Sequence, residues 1–422
     1  MIKGEKIRLD IHKILYTIYK SNKNFKYTSF EKIINRHKKE DTSLLNNVIL
    51  NSMRYHIHIK KIINSHIEKK LRDHEYILLL SAITQIVFLD FRQYAVINCS
   101  VEIAKKLKIY HGLINAVLKK ISKNVKKLKK TKIKFNDFPI WFRNEANTLS
   151  KDEKGKFIKN FNEEPNLHIV FKNKDKLINF EESLVKTSSL SGFLENRINI
   201  TKMDSFNRGD WWVQDFSSFF PIHNFPKFYT NKNFLDTCAA PGGKAFQILS
   251  KKNNIVLNDK NKNRIKILKS NLKRLGFKAK ILNQDFTNFK SEEKYDCILV
   301  DAPCSAVGTI RKNPEIFFKH NRPNLEELNL IQEKMLEKAS QLLHKEGLIL
   351  YMVCSFLKSE TVDQIEKFLR KKSNFKLNDF KLNKENYNYQ KIISRGFMIT
   401  LPETILKFNI DGYFAAYLEK IR

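Results

Sequence analysis

The sequence predicts an α/β protein in which an all-α module and a small α/β bridge precede a doubly wound, parallel-sheet domain. Three observations carry this. Residues 1–130 follow a helical period with no proline and almost no glycine. After residue 233, short apolar strands alternate regularly with amphipathic helices. Between these regions, Phe234 to Lys244 (FLDTCAAPGGK) breaks from an apolar strand into a glycine-bearing turn that opens a helix. At 422 residues the chain is also too long for one ordinary domain. The expected divisions are 1–130, 131–210 and 211–422.

In the first of these, Ile7, Ile11, Ile14, Leu15 and Ile18 fall on one helical face. A second periodic run starts near Ser43, read as an N-cap. A third starts at Asp73 and carries Tyr76, Ile77, Leu80, Ile83 and Val87. Five or more helices are expected. Lys119 to Lys134 holds nine lysines and no acid, which is either a solvated helix end or a nucleic-acid contact.

The bridge begins where Asp137-Phe138-Pro139-Ile140 interrupts the helical pattern. Leu167 to Phe171 (LHIVF) reads as a strand, with Pro165 and Gly192 as punctuation. In GDWWVQDFSSFF, Trp211 and Trp212 either pack the domain entrance or stack on bases, and packing is the commoner fate. Past the glycine loop, Asn254 to Asp259 and Ala279 to Asp285 read as strands ending in acids, and Asn261 to Leu275 as a helix stopped at Gly276. Tyr295 to Cys304 is a continuous apolar strand, as a buried parallel strand would be. A helix near Leu325 to Leu343 then leads to a strand that reaches Cys354. Ligands of such a Rossmann-like sheet sit at its carboxyl edge.

Lys plus Arg number 78 against 44 acids, a net charge of +34, which favours a polyanionic partner such as nucleic acid; a lysine-rich compositional bias accounts for part of it. Five cysteines with no C-x-x-C spacing argue against a disulfide framework or a zinc site, so no metal is expected and the compartment is reducing. No apolar leader opens the chain, and no run approaches the roughly 18 apolar residues of a membrane span. The reading is a cytoplasmic monomer.

The carboxyl edge carries the chemistry. The loop lacks both G-x-G-x-x-G and G-x-x-x-x-G-K-[ST], so a ligand smaller than a dinucleotide or triphosphate, with a nucleoside and a carboxylate, fits it better. Asp259, one βαβ step past the loop, is placed to accept a ribose diol, or else caps the next helix. Asp285 either receives an adenine amino group or is a turn aspartate. Cys304 and Cys354 follow two strands and can face one cleft, whereas Cys99 and Cys297 read as buried filling. A thiolate can add to carbon 6 of a pyrimidine and make carbon 5 nucleophilic enough to take a methyl group. Asp301 can hydrogen-bond the ring as electrons move onto it.

Two stretches carry resemblances. Ile83 to Leu107 with His111 to Ile121 resembles the antitermination factor NusB, on Asp90, the VEIAKKL helix and the run from Gly112 to Leu118. This implies RNA binding without catalysis. D-T-C-A-A-P-G-G-K (Asp236 to Lys244), D-A-P-C-S-A-V-G (Asp301 to Gly308), R-K-N-P-E (Arg311 to Glu315), V-C-S (Val353 to Ser355) and D-G-Y-F-A-A (Asp411 to Ala416) together resemble the Sun family of RNA cytosine-C5 methyltransferases. With the NusB-like front, the resemblance is to the branch acting on 16S rRNA. It implies S-adenosylmethionine as cofactor and 16S rRNA as partner. Cys238, Ala239, Ala240, Pro241, Gly242, Gly243 and Lys244 would hold the methionine part, Asp259 the ribose and Asp285 the adenine, with Asp301 between cofactor and base. Cys354 would be the nucleophile and Cys304 would assist release. The chain departs from the family at Ala245 (usually Thr or Ser), Val353 (Thr), Phe318 (Trp) and Val170 to Asn173 (which lacks Arg-Val-Asn). The alternatives are a related enzyme acting on tRNA or 23S rRNA, and a catalytically silent RNA-binding assembly factor.

Overall fold

The helical face read in the first segment is buried as the period requires. Ile11, Ile14, Leu15 and Ile18 are at most 1% exposed along the helix Glu5–Lys20. This computed structural model describes residues 4–21, 27–196, 198–225, 231–380, 382 and 384–421. Further helices span Tyr27–Ile34, Lys39–Arg54, His56–Asn64, Asp73–Ile83, Gln93–Lys106 and His111–Ser122. The expectation of an N-cap at Ser43 is corrected, because that helix starts at Lys39 and Ser43 lies inside its first turns. Glu40 and Asp41 provide the start instead, as acids favoured by the positive end of the helix dipole. Asp73–Ile83 is capped by Glu75, which accepts from the Arg72 N–H at 3.0 Å, and it runs into a π-helical turn, Thr84–Phe88.

The chain divides into two units, Met1–Leu149 with Ile310–Pro323, and Ser150–Thr309 with Asn324–Arg422. The first therefore contains a segment that the sequence places between two strands of the second. Within it, Phe317 stacks edge-on to Phe142 at 4.8 Å between ring centres. Phe318 is 1% exposed, against Tyr19 and His56. All nine lysines from Lys119 to Lys134 are exposed in this unit.

The second unit holds two main sheets. The smaller is antiparallel, in the order β2-β3-β1-β4, with β1 His168–Phe171, β2 Leu184–Ser188, β3 Ser191–Leu194 and β4 Trp211–Val213. Trp211 and Trp212 are at most 2% exposed, and their ring N–H groups donate to Ser205 and Gln214, so they pack rather than present a stacking face. In the larger sheet, β5 Asn233–Asp236, β6 Asn254–Asn258, β7 Lys280–Leu282, β8 Tyr295–Asp301 and β9 Leu343–Val353 are parallel in the order β7-β6-β5-β8-β9. Cys297, Ile298, Leu299 and Val300 in β8 are fully buried, as helices on both faces require.

The sheet is mixed rather than wholly parallel. Past β9 come β10 Phe375–Asn378, β11 Ile393–Ser394, β12 Phe397–Thr400, the hairpin β13 Glu403–Ile405 with β14 Phe408–Ile410, and β15 Tyr413–Lys420. β15 runs antiparallel to β9, β10 and β12. Strand order reverses at β5, whose neighbours are β6 and β8. In such sheets the carboxyl-end crevice at the reversal is where ligands bind.

Two glycines show why the motif positions cannot carry side chains. Gly242 has φ 121°, and a Cβ there would meet the Phe246 ring at 2.0 Å. A Cβ on Gly308 would lie 1.9 Å from the Gly412 carbonyl oxygen, and the Gly412 N–H donates to the Gly308 carbonyl at 2.8 Å. Backbone therefore meets backbone where D-A-P-C-S-A-V-G and D-G-Y-F-A-A come together. Gly308→Ala should cost about 1–3 kcal/mol by forcing these segments apart. A urea midpoint equal to that of the parent protein would refute this contact.

Candidate functional site

The strand-end residues read from the sequence come to one edge. Asp236 ends β5, Asp259 follows β6, Asp301 ends β8 and Cys354 follows β9, while Asp301 pairs in register with Met352. The turn after β5 is held by β6: the Ala239 N–H donates to the Asn258 carbonyl at 2.8 Å and the Ala240 N–H to Asp259 Oδ2 at 3.2 Å. Gly242 and Gly243 then start the helix Gly243–Ser250.

Asp259 is 1% exposed and engaged on both oxygens. Besides Ala240 it accepts from the Asn261 N–H at 2.8 Å and pairs with Arg264 at 3.3 Å, while Arg264 also donates to the Ala240 carbonyl. The loop-anchoring contacts of this acid are not visible in sequence. Asp285 accepts from the Thr287 N–H and hydroxyl at 3.0 and 2.8 Å, and the hydroxyl contact is the main reason its carboxyl titrates below the usual range.

Lys244 reaches back over the edge. Its ammonium donates to Asp301 Oδ2 at 2.8 Å, and the Tyr413 hydroxyl donates to Asp301 Oδ1 at the same distance. Burial disfavours the charged Lys244, but the charge and hydrogen bond of Asp301 more than offset it, and its pKa is raised. Burial, then the Asp301 and Cys354 charges, push the Tyr413 phenol well up, so it acts as a donor. Tyr413 lay unassigned in the D-G-Y-F-A-A motif; its place at the start of β15, beside β9, was the missing information.

Cys304 Sγ and Cys354 Sγ lie 3.4 Å apart, and all five cysteines are free. The contact with Cys354, with burial next, raises the Cys304 thiol well above its usual pKa, so it stays protonated. Burial pushes the Cys238 thiol up to about 12, with the Asp301 charge adding to it. Cys99 and Cys297 are fully buried packing residues. Behind the pair sits Glu360, 0% exposed, which no feature of the K-S-E-T stretch singled out. It accepts from the Ser305 N–H at 2.7 Å, from the Ser305 hydroxyl, and from the Ser355 hydroxyl at 2.6 Å.

Asp236 is a third residue to which the sequence assigned no role. Its Oδ1 accepts from the Cys238 N–H at 3.2 Å, while Oδ2 is buried with no hydrogen-bond partner among the described residues. No cluster of metal ligands occurs among the described residues, and no described helix is long and apolar enough to cross a membrane.

A reversal-point crevice with a glycine loop and strand-end acids suits a nucleoside-bearing ligand, and a close thiol pair stands beside it. The comparisons agree. The family model for 16S rRNA methyltransferase RsmB/F matches residues 227–419, and the NusB family model matches residues 5–123. The two matches fall on separate stretches, the first over the larger sheet and the second over the N-terminal helices. Ribosomal RNA small subunit methyltransferase B of Shewanella oneidensis is 36% identical over 195 residues, 45% of this chain and 43% of that protein. The match therefore spans under half of that relative's length. A probable enzyme of the same name from Coxiella burnetii is 27% identical over 359 residues, 78% of this chain and 83% of that protein. The crystal structure of PH0851 has a TM-score of 0.72 at 22% identity, covering 100% of this chain and 99% of that one. NSun6 from Pyrococcus horikoshii with SFG has 0.56 at 19% identity, covering 68% and 99%. Both structures share the fold.

Burial, with Asp301 next, raises the Asp236 carboxyl to about 7, Lys244 opposing. Between about pH 4 and 7 the folded chain then holds a proton that the unfolded chain has released, so stability falls as pH rises through that window. Asp236→Asn should remove this component. Melting midpoints from pH 5 to 8 should fall more steeply in the parent than in the variant, and parallel curves would contradict the assignment.

Proposed function

We propose that this protein is an S-adenosylmethionine-dependent 16S rRNA methyltransferase that modifies carbon 5 of a cytosine through a covalent cysteine–cytosine adduct. The thiol pair at 3.4 Å beside the Lys244–Asp301 contact carries the reading. The pocket residues fit the cofactor. The orphan oxygen of Asp236 suits an ammonium group, and the glycine turn opening a helix suits a carboxylate. When bound, S-adenosylmethionine supplies the methyl group. Cys238 to Lys244 would hold its methionine end, Asp259 would keep the loop in place beside the ribose, and Asp285 would face the adenine. NSun6, which shares the fold, was crystallised with SFG, an analogue of this cofactor.

In this reading the Cys354 thiolate adds to carbon 6 of the cytosine, and Asp301, fixed by Lys244 and Tyr413, hydrogen-bonds the ring as charge moves onto it. Carbon 5 gains the methyl group and then loses its proton to water, and the electron pair of that C–H bond forms the C5–C6 double bond as the Cys354 sulfur leaves. Cys304, whose thiol stays protonated, would assist this departure by donating to the Cys354 sulfur 3.4 Å away. The relatives named as ribosomal RNA small subunit methyltransferases, and the matching 16S rRNA methyltransferase family model, support the substrate, and an rRNA substrate fits activity in the cytoplasm.

Cys354→Ala should abolish both methylation and any covalent RNA adduct. Cys304→Ala should attack but stall at release, leaving an adduct that survives denaturing electrophoresis. An adduct in Cys354→Ala but none in Cys304→Ala would reverse the two roles. No adduct with either the parent or Cys304→Ala, together with no cytosine methylation, would sink the reading and favour a silent RNA-binding factor.

The exposed lysines of the helical unit are the proposed phosphate contacts. Replacing Lys119, Lys120, Lys123, Lys126 and Lys127 with Gln should weaken 16S rRNA binding. The log–log salt slope should drop by roughly 0.7–0.9 for each phosphate that is no longer neutralised. An unchanged slope would mean that the RNA binds elsewhere.

A further inference from the structure

We propose that Glu360 is a positioning residue for the thiol pair, setting the spacing of Cys304 and Cys354 through the serine that follows each. The inference rests on the cysteine roles given above, but its observations are separate. Glu360 is 0% exposed, and its carboxylate accepts from four neutral donors. A buried carboxylate with neutral partners is costly unless every donor is well placed, so it is a poor filler and a good ruler. Its donors are selective. Oε1 takes the Ser305 N–H at 2.7 Å, while Oε2 takes the hydroxyls of Ser305 and Ser355. One rigid carboxylate thus spans the residue after Cys304 and the residue after Cys354.

The clamp is itself anchored. Gln332 donates to Glu360 Oε1 at 3.3 Å and to the Pro303 carbonyl at 3.0 Å, so Cys304 is flanked on both sides. From β9, the Tyr351 hydroxyl donates to the Glu360 carbonyl at 2.8 Å. Neither Glu360 nor the two serines touches the groups that would react. They act by fixing where two sulfurs stand, and misplacement of a reacting group by about 1 Å can cost on the order of a hundredfold in rate.

The test uses the full-length protein and a trivalent arsenical, phenylarsine oxide. Two adjacent thiols displace its oxygen as water and form two As–S bonds without oxidation, so its affinity reports sulfur spacing with no RNA present. Cys304→Ala should abolish this bridging. Glu360→Ala should weaken arsenical binding about tenfold or more and slow single-turnover methyl transfer about 10- to 100-fold, with S-adenosylmethionine affinity within about twofold of the parent. Glu360→Gln should restore much of both, since its amide oxygen can take the Ser305 N–H while its NH2 donates to the serine oxygens. Should Glu360→Ala fail to fold, the pair Ser305→Ala with Ser355→Ala cuts the same struts and should show the same two losses. A folded variant of either kind with parental arsenical affinity or parental transfer rate overturns the proposal. If the parent binds arsenical, Glu360→Ala does not, and no cytosine is methylated by either, the spacing role stands and the reaction assigned above fails.

Discussion

The contact of Lys244 with Asp301 is the interaction on which the rest of the site depends. It joins the helix that follows the glycine loop to the end of the central strand β8, and Tyr413 brings in β15 on the other carboxylate oxygen. Both charges are largely withdrawn from water, with 17% and 24% of their side-chain surface exposed. Each therefore needs the other, because removing one partner of such a pair leaves an uncompensated charge. The aim of Asp301 is thereby tied both to the helix after the glycine loop and to the start of the C-terminal strand.

Much of the larger sheet was legible because each parallel strand is a short apolar run closed by a polar residue. Tyr295 to Asp301 is the clearest case, since burial on both faces leaves no alternation to confuse with a helix. The strands after β9 were not legible. β10, β11 and β12 are short, and their pairing with β15 depends on contacts distant in sequence. The same reason hid Glu360 and Tyr413. A carboxylate in K-S-E-T looks like a surface residue until the fold brings Ser305 and Ser355 onto it. Asp259 was read from its place at a strand end, but which groups would meet it depended on how the loop turns back. Ser43 misled because cap chemistry was read without the acids just before it.

The departures from the family pattern fall on packing positions. Ala245, Val353 and Phe318 are each at most 1% exposed, and none supplies a group to the Lys244–Asp301–Tyr413 cluster or the thiol pair. In the Val170 to Asn173 stretch, Val170 and Phe171 belong to β1, Lys172 lies over the Phe277 ring, and Asn173 caps a short helix. Only its first two residues are buried.

The segment Ile310–Pro323 belongs to the helical unit although it is encoded between β8 and the helix Leu325–Leu342. Phe318 completes a core begun by Ile7 and Ile18. On a ribosome the first helices emerge long before this residue, so the N-terminal unit receives this part of its core late. Phe318 can join only after the strands from β5 to β8 have been synthesised. The order of synthesis thereby couples completion of the helical part to the making of the strand that carries Asp301.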